Sequence, residues 1–483
     1  MNRNSQFILV FIVILGMSHG AFSQDSIGVG AQNSSWKWQT QLQDISIHLG
    51  DDTLSAAPEV EGADRKQWWE VFGYPTLNSL IELALEENQN LKIGKSQVAE
   101  GRERVKLARS YYYPSISLNP SFIREELSAN RPMPFDIAVE RVTMNSYLLP
   151  LDVSYEVDIL GRIKNDVEAS EFNFQATHAS QEALQLAIAS EVARNFALLL
   201  TLDTENQILA RTIRSRQENL EIVETRYSAG LTNEIDLQRA RTELSSVAVQ
   251  LENNRRQRTE VELRLATLSG QPASTFSIEW TGIQYLAPVI QPDAPNALSA
   301  NRPDIRAADY TIEAYKKQVE SARKNRYPSL YLQGSAGLLT GESDQLFEGD
   351  SRNWLVGATL AVPLFEGGRR QAQLAISDHQ LQAATYHLKQ QELVAHQEVE
   401  QALSSLLRLH EQLAAQQEFL VAAQKAAELS QQRYRKGLVT YLEVVDAERI
   451  VLEAERLSAQ LLGQQLISTI DLIVAMGGNL EEI

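Results

Sequence analysis

The sequence predicts a mainly α-helical protein with a membrane β-barrel portion, built from a duplicated unit of helix, strand, strand, long helix and helix. Three observations predict this fold class: an internal repeat, two pairs of segments in which apolar and polar residues alternate, and two long stretches without proline. Each unit would supply two strands, so one chain would supply four strands to a barrel shared between chains.

The internal repeat is clearest around two copies of the pattern Arg-Tyr-x-x-Gly-Leu. The positions that recur at one constant offset are Arg226-Tyr227 with Arg433-Tyr434, Gly230-Leu231 with Gly437-Leu438, Asp236 with Glu443, Ala240 with Ala447, and Gly270 with Gly477. A shared offset across about fifty residues indicates a duplicated structural unit. Each copy predicts a helix, a Gly-Leu turn and a returning helix, because glycine readily adopts the positive φ that ends a helix.

The proline-free stretches predict long helical hairpins over 161–269 and 367–477. Proline costs about 3 kcal/mol inside a helix, and none occurs between Pro150 and Pro272 or after Pro363.

The two helices of a hairpin have unequal predicted lengths. A helix over 162–228 would be about 100 Å long and its returning helix over 232–268 about 55 Å, at about 1.5 Å per residue. The shorter helix therefore needs a second helix stacked on its end. Helices predicted over 90–111 and 303–325 are available for this in the two repeats.

Alternation of apolar and polar residues predicts four strands, about 114–126, 146–158, 328–340 and 352–364. Four strands cannot close a barrel, since about eight are needed for the smallest filled one, and an open edge cannot lie in lipid. Several chains must therefore share one barrel. Two chains would give eight strands and a filled interior, whereas three would give twelve and a channel.

The N-terminus has the features of a signal peptide. Arg3 precedes an apolar run over 7–17, and Ala21-Phe22-Ser23 has small residues where a signal peptidase cleaves. A later helix is expected to begin at Leu77 with Thr76 as its cap. No later run of about eighteen apolar residues occurs, so we expect no transmembrane helix. The predicted divisions are a signal peptide over 1–23, an extended arm over 24–75, a first repeat over 76–270, a linker over 271–301, a second repeat over 302–478 and a tail over 479–483.

Composition excludes several classes of protein. The chain of 483 residues carries a net charge of −18, which argues against a nucleic-acid partner and suits a passage that favours cations. It has no cysteine, which excludes disulfides, thiolate metal sites and a lipid-modified N-terminal cysteine. The seven histidines form no close metal-ligand pair, and no Gly-x-Ser-x-Gly occurs. We therefore expect no enzymatic activity, no metal and no cofactor.

The chain resembles the TolC-like outer-membrane efflux proteins, and within them the OprM/NodT-type drug-efflux ducts, from about Trp68 to Gly478. Besides the two Arg-Tyr-x-x-Gly-Leu segments, the resemblance is carried by Tyr155-Glu156-Val157-Asp158-Ile159-Leu160-Gly161-Arg162, Asn301-Arg302-Pro303-Asp304-Ile305-Arg306 and Val362-Pro363-Leu364-Phe365-Glu366-Gly367-Gly368-Arg369. It implies a homotrimer with a twelve-strand barrel in lipid of the cell outer membrane, above an α-helical barrel that extends through the periplasm. It also implies a periplasmic adaptor and an inner-membrane pump of the RND type as partners.

The resemblance further implies a closed periplasmic entrance at the hairpin tips, with a gate formed by Asp236, Tyr434, Glu443 and Asp446. Glu443 and Asp446 are three residues apart and share a helix face, so symmetry would turn them into a ring of carboxylates. The alternative is that both are ordinary solvated helix charges. A basic residue that some members use in a salt-bridged latch is replaced by Val439.

Two further groups of residues are predicted to make contacts outside the chain. The tips would contact the adaptor through Gly230, Leu231, Gly437 and Leu438. Membrane-interface aromatic residues would be Tyr147, Tyr155, Tyr331 and Trp354.

Three functions remain open from the sequence. The leading one is a passive export duct for small molecules such as drugs and toxic compounds, in a tripartite efflux system. The second is the duct of a protein-secretion system, and the third is a periplasmic coiled-coil scaffold.

Overall fold

The computed structural model describes residues 67–129, 141–290 and 302–478, together with the two-residue strands His48–Leu49, Asp52–Thr53 and Ser55–Ala56. The predicted signal peptide over 1–23 and tail over 479–483 lie outside the described residues, as do most of the predicted arm and part of the linker.

The described residues form seven α-helices: α1 Pro75–Glu87, α2 Gln89–Ser110, α3 Arg162–Ser228, α4 Glu234–Leu268, α5 Pro303–Lys324, α6 Arg369–Arg435 and α7 Tyr441–Ala475. Helix α1 begins at Pro75, and the prediction that Thr76 caps it is wrong, because Tyr74 holds the cap position. Proline suits the first helical position, where its missing N–H would have no partner. Helix α4 begins after Asn233, whose Oδ1 accepts a hydrogen bond from the Asp236 N–H at 2.9 Å.

One sheet contains the five main strands, β1 Ser115–Leu118, β2 Ser121–Leu127, β3 Val142–Val157, β4 Ser329–Thr340 and β5 Arg352–Ala361. Both β1 and β2 pair with β3, which pairs with β4, which pairs with β5, all antiparallel. The strand predicted over 114–126 is thus two strands. The break at Asn119-Pro120 lies beside Pro150, and neither proline has an N–H for the ladder.

The register gives the sheet one apolar and one polar face. Leu151 pairs with Ala336, which pairs with Trp354, so these three side chains share a face. The residues on this face are mostly apolar: Ile116, Leu118, Phe122, Tyr147, Leu149, Leu151, Val153, Tyr155, Val157, Leu330, Leu332, Leu338, Trp354, Val356 and Leu360. The opposite face carries Asp152, Ser154, Glu156, Gln333 and Ser335.

Tyr331 lies on the polar face, because it pairs with Glu156 and Thr359. Successive residues of a strand point to opposite faces. Tyr331 therefore points to the opposite face of the sheet from Tyr147, Tyr155 and Trp354, and its place at a membrane interface stays a prediction.

The helices of the two hairpins lie side by side in the order α4, α3, α7, α6. Closer to the sheet, α2 and α5 extend the two shorter helices, giving the order α2, α3, α5, α6. The Asn88 side chain before α2 donates to the Leu268 carbonyl at the end of α4 at 2.8 Å. In the same way, Arg302 Nη1 donates to the Ala475 carbonyl at 3.1 Å. The joints are end-to-end, as the unequal helix lengths predict.

Two of the described helices, α3 and α7, each contain a window apolar enough to cross a membrane by length and composition. Neither window is an unbroken run of apolar residues, so the expectation of no transmembrane helix stays a prediction. Of each 18-residue window, 56% is buried inside the fold, as is also found in core helices of soluble proteins. Packing between helices accounts for their apolar character.

Helices α3 and α7 lie close together at Gly463. A Cβ atom at Gly463 would overlap the Thr201 hydroxyl and lie 3.1 Å from Thr201 Cβ. Any larger side chain must push the two helices apart.

We expect Gly463→Ala to lower the free energy of unfolding by about 1–3 kcal/mol, since overpacking outweighs the gain in helix propensity. Gly94→Ala is the matched control, because the nearest atoms to its new Cβ are 3.4 Å away, and it should be neutral or stabilising. Circular dichroism of the purified proteins during unfolding would compare them, and equal midpoints would contradict the close approach.

Candidate functional site at the hairpin ends

Both hairpins end in the same turn. Gly230 and Gly437 have φ of 71° and 73°. The Leu231 N–H donates to the Arg226 carbonyl at 2.8 Å, and the Leu438 N–H donates to the Arg433 carbonyl at 3.0 Å. Together with the 2.9 Å bonds from each glycine N–H, these form Schellman motifs. A Cβ on either glycine would meet no atom within 4 Å, so glycine is required for its backbone conformation and not for space.

Each turn presents an exposed leucine. Leu231 is 69% exposed and Leu438 is 66% exposed, and the next turns of helix add the exposed Ile235 and Leu442. Each hairpin end therefore presents exposed apolar side chains beside exposed charged residues such as Glu234 and Lys436.

An apolar cluster joins the two hairpins just inside these turns. Its buried members are Val223, Leu237 and Ala240 of the first hairpin and Tyr434, Tyr441, Val444 and Val445 of the second. Val439, which stands where the resemblance led us to look for a basic residue of a salt-bridged latch, packs against this cluster.

Tyr434 is buried between the hairpins at 7% exposure. Its ring centroid lies 5.4 Å from that of Tyr441, and the Arg226 guanidinium lies 4.8 Å from the Tyr434 ring centroid. Arg226 Nη1 also donates to the Tyr434 carbonyl at 3.3 Å. Burial raises the pKa of the Tyr434 hydroxyl, and the Arg226 charge opposes this. Tyr434 thus holds the two hairpin ends together within one chain.

Asp236 lies in the first turn of α4 and is 9% exposed. Its Oδ2 accepts a hydrogen bond from the Thr232 hydroxyl at 2.7 Å, and Arg239 lies 3.7 Å from Oδ1. These bonding partners belong to the first hairpin, so Asp236 stabilises the turn of its own hairpin.

Glu443 and Asp446 are exposed on the first two turns of α7. Arg433 reaches Glu443 across the turn at 3.9 Å. The structure therefore divides the four predicted gate residues into two sets. Tyr434 and Asp236 are buried at the hairpin ends, whereas Glu443 and Asp446 lie on a solvated surface.

A polar layer that the sequence analysis missed lies above the apolar cluster. Arg216 of α3 is 2% exposed and forms an ion pair with Glu448 of α7. Asn219 Nδ2 donates to Glu448 Oε1 at 2.9 Å, and Gln431 of α6 donates to Asn219 Oδ1 at 3.3 Å. Burial raises the pKa of the Glu448 carboxyl, with Arg216 and Asn219 opposing it. Burial also raises the pKa of Tyr441 to about 12.

Comparison with known proteins identifies the fold and the class of protein. The outer membrane efflux protein family matches residues 80–271 and 294–478. The chain belongs to this family. The fold also matches the outer-membrane channel OprN, with a TM-score of 0.80 and 25% identity over 90% of this chain and 98% of that one. The outer membrane protein VceC of Vibrio cholerae gives a TM-score of 0.79 and 25% identity over 86% and 99%.

Curated relatives of this efflux protein match over nearly their whole lengths. The cation efflux system protein CusC of Escherichia coli strain K12 is 27% identical over 88% of this chain and 92% of that protein. The pyoverdine export outer membrane protein OpmQ of Pseudomonas aeruginosa is 27% identical over 88% and 89%. The toluene efflux pump outer membrane protein TtgI of Pseudomonas putida is 28% identical over 85% and 86%. The efflux protein is therefore an outer-membrane channel protein that joins an α-helical barrel to a β-barrel portion, with a long periplasmic extension.

The two tyrosines of the repeated pattern should respond differently to truncation. Tyr434→Ala removes a buried ring and is expected to destabilise the hairpin ends by about 3–5 kcal/mol. Its repeat counterpart Tyr227 is 41% exposed, so Tyr227→Ala should change stability by no more than about 0.5 kcal/mol. Hydrogen exchange at the two turns measures the difference, and similar exchange in both variants would contradict the packing role of Tyr434.

Proposed function

We propose that this efflux protein forms a homotrimeric duct for small molecules in a tripartite system with a periplasmic adaptor and an inner-membrane pump of the RND type, and that it catalyses no reaction. The observation that carries this proposal is the pair of open edges in the chain. The sheet ends with β1 and β2 on one side and β5 on the other.

Closure of a ring pairs both edges at once. Because the strands alternate in direction across the sheet, β5 of one chain would lie antiparallel to β1 and β2 of the next. Such head-to-tail contacts generate rings. Three chains would supply twelve strand positions, enough for a channel, whereas two would give a barrel filled by side chains.

The helices support the same ring. The outer helices α4 and α6 carry exposed apolar residues: Ile235, Val249, Leu263, Ile376, Tyr386, Leu393, Phe419, Val421 and Leu429. Exposed apolar surface of this extent favours an interaction partner. In a ring, α6 of one chain would lie beside α4 of the next.

The apolar face of the sheet suits the outer-membrane lipid. Tyr147 and Tyr155 are eight residues apart on β3, about 26 Å along the strand. With the 35–45° tilt of strands in membrane barrels this is a height of about 20 Å, slightly less than the apolar band of about 25 Å. Trp354 is 75% exposed on the same face. Without a cysteine for lipid attachment, anchoring rests on this face.

Leu151 lies midway between Tyr147 and Tyr155 on the apolar face, so a cation there should be costly. We expect Leu151→Arg to reduce the stability of the protein in lipid vesicles by about 2–4 kcal/mol. Gln333→Arg, on the polar face, is the matched control and should be tolerated. Unfolding of both variants in vesicles measures the difference, and the reverse order would place the lipid on the other face.

At the entrance, we assign Glu443 and Asp446 to a ring of carboxylates that restricts and selects ions, while Asp236 and Tyr434 hold the closed ends in shape. Leu231 and Leu438, presented by the turns at Gly230 and Gly437, would contact the adaptor. Their exposure and the shared geometry of the two turns support this role.

Electrical recording in planar bilayers tests the duct and its gate. The wild type should show low conductance that rises when Glu443→Ala and Asp446→Ala are combined. Glu252→Ala with Glu260→Ala is the control, because it removes two exposed carboxylates from α4. A protein that never conducts would contradict the duct, and unchanged conductance in the double variant would contradict the gate alone.

The cargo is best described by size and charge. The relatives carry names for cations, pyoverdine and toluene, which share little chemistry. A duct common to such different molecules leaves selection to the pump.

A further inference from the structure

Charged residues are rare on the apolar face of the sheet. Within the described strands they are Arg124 and Glu126 on β2 and Arg352 on β5. Glu126 is compensated by Arg141, whose Nε lies 3.2 Å from Glu126 Oε1. Arg124 and Arg352 form no ion pair with another described residue. In that part of the chain, this face therefore carries two arginine charges without a partner.

Both arginines stand in the same relation to an aromatic side chain. Phe122 precedes Arg124 by two residues on β2, and Trp354 follows Arg352 by two residues on β5. Each aromatic therefore lies on the same face as its arginine and nearer the helices. Aromatic girdles of membrane barrels lie at the interface between hydrocarbon and head groups. In the proposed duct, this puts Arg124 and Arg352 among the head groups of the outer leaflet.

The two arginines belong to opposite edges of the sheet. Strand β2 lies at one edge and β5 at the other. Closure of the proposed ring places β5 of one chain beside β1 and β2 of the next, so Arg352 approaches Arg124 of the neighbouring chain.

The order of the strands around the ring follows from one hydrogen bond. The Asn119 N–H donates to the Pro150 carbonyl at 3.3 Å, so the carbonyls of residues on the polar face of β3 point to β1. Those of residues on the apolar face, such as Leu149, point to β4. For L-residues this places β4 to the left of β3, seen from the apolar side with the helices below. Strands of a barrel tilt with a fixed hand and rise to the right in this view, so each perpendicular step towards β5 rises.

The register then brings the two arginines to one height. Arg124 pairs with Asn145, whereas Arg352 pairs with Leu338, which pairs with Leu149. The four residues from Asn145 to Leu149 descend about 10 Å towards the helices, at about 3.3 Å per residue and a tilt of about 40°. Three strand steps of about 4.8 Å from β2 to β5 rise about 9 Å at the same tilt. The two offsets cancel, so the arginines meet at the seam.

Two arginines side by side on adjacent strands repel each other, and the low dielectric of the neighbouring lipid strengthens the repulsion. A phosphate between them replaces this repulsion by two charge-assisted contacts, because the guanidinium fork matches phosphate oxygens. The level of the pair is that of lipid head groups. A phosphate carried by a lipid is therefore the anion that fits this position.

We infer that Arg352 of one chain and Arg124 of the next bind the phosphate of an outer-leaflet glycolipid, so that lipid molecules bridge the three seams of the barrel. This inference rests on the proposed homotrimeric duct. It gives the barrel a specific lipid contact in addition to its general apolar surface.

Native mass spectrometry of the full-length trimer in a neutral detergent tests this inference, with lipid A as the probe. The wild type should bind up to three molecules of lipid A per trimer. Arg124→Gln and, separately, Arg352→Gln should each lower the affinity at least about tenfold, since each removes charged hydrogen bonds to phosphate. Arg255→Gln is the control, because it removes an exposed cation from α4, and it should bind as the wild type does. Wild-type affinity in both of the first two variants would overturn the inference.

Dephosphorylated lipid A and inorganic phosphate distinguish the chemistry from its source. The lipid without phosphate should bind at least about tenfold more weakly. Inorganic phosphate at the concentration of the lipid should not displace lipid A. Equal binding of the two lipids, or displacement by inorganic phosphate, would contradict a site for a lipid-borne phosphate.

A charge reversal tests the juxtaposition without any lipid. The carboxylate introduced by Arg124→Glu would pair with Arg352 of the neighbouring chain, so the trimer should dissociate at a higher temperature than the wild type in neutral detergent. Combining Arg124→Glu with Arg352→Glu restores like charges and should lower that temperature again. Equal dissociation temperatures in all three proteins would show that the two residues do not meet. A protein that is never trimeric would contradict the proposed duct, whereas a trimer without preference for phosphorylated lipid would contradict this inference alone.

Discussion

Backbone pairing is the constraint on which the rest of this architecture depends. Inside a membrane each unpaired N–H or C=O costs several kcal/mol, so a sheet there must have no free edge. The described sheet has an edge at β1 and β2 and another at β5, and the proposed ring of copies would pair both edges. Because β3 leads into α3 and β5 leads towards α6, the helices lie side by side in the same order as the strands. The helical part is thus arranged by a requirement that arises in the lipid.

A ring of helices below the sheet needs all its members to reach the same length, and the chain achieves this with joints. Helix ends leave carbonyl groups without partners, and at these joints the Asn88 and Arg302 side chains bond the last carbonyls of α4 and α7. The fit at Gly270 is close, since a Cβ there would lie 2.5 Å from the Glu87 carbonyl oxygen. The joints let two shorter helices act as one long helix.

Elements with a strong local signal could be predicted from the sequence. Helix α3 begins and ends at the predicted residues, and both turns have the expected positive φ. Features that depend on a partner strand or helix could not be predicted from the sequence. The face of the sheet to which Tyr331 points follows from its pairing with Glu156. Within β4, Gly334 and Gly337 interrupt the apolar pattern, so the sequence alone does not say whether the odd or the even positions lie on the apolar face. The pair of Arg216 with Glu448 joins residues 232 positions apart, and each alone looks like an ordinary helix charge.

The two hairpins share a sequence pattern without sharing a role. Tyr227 and Tyr434 occupy one repeat position, yet Tyr227 is 41% exposed and Tyr434 is 7% exposed. Val439 places an apolar side chain at the turn. A buried ion pair between the hairpins lies farther along the helices at Arg216, about 18 Å from the end of α3 at 1.5 Å per residue. Apolar contacts lack direction and tolerate sliding, whereas a buried ion pair loses its partner when the helices part. The chain therefore places an adaptable contact at the hairpin ends and a fixed one farther along the helices.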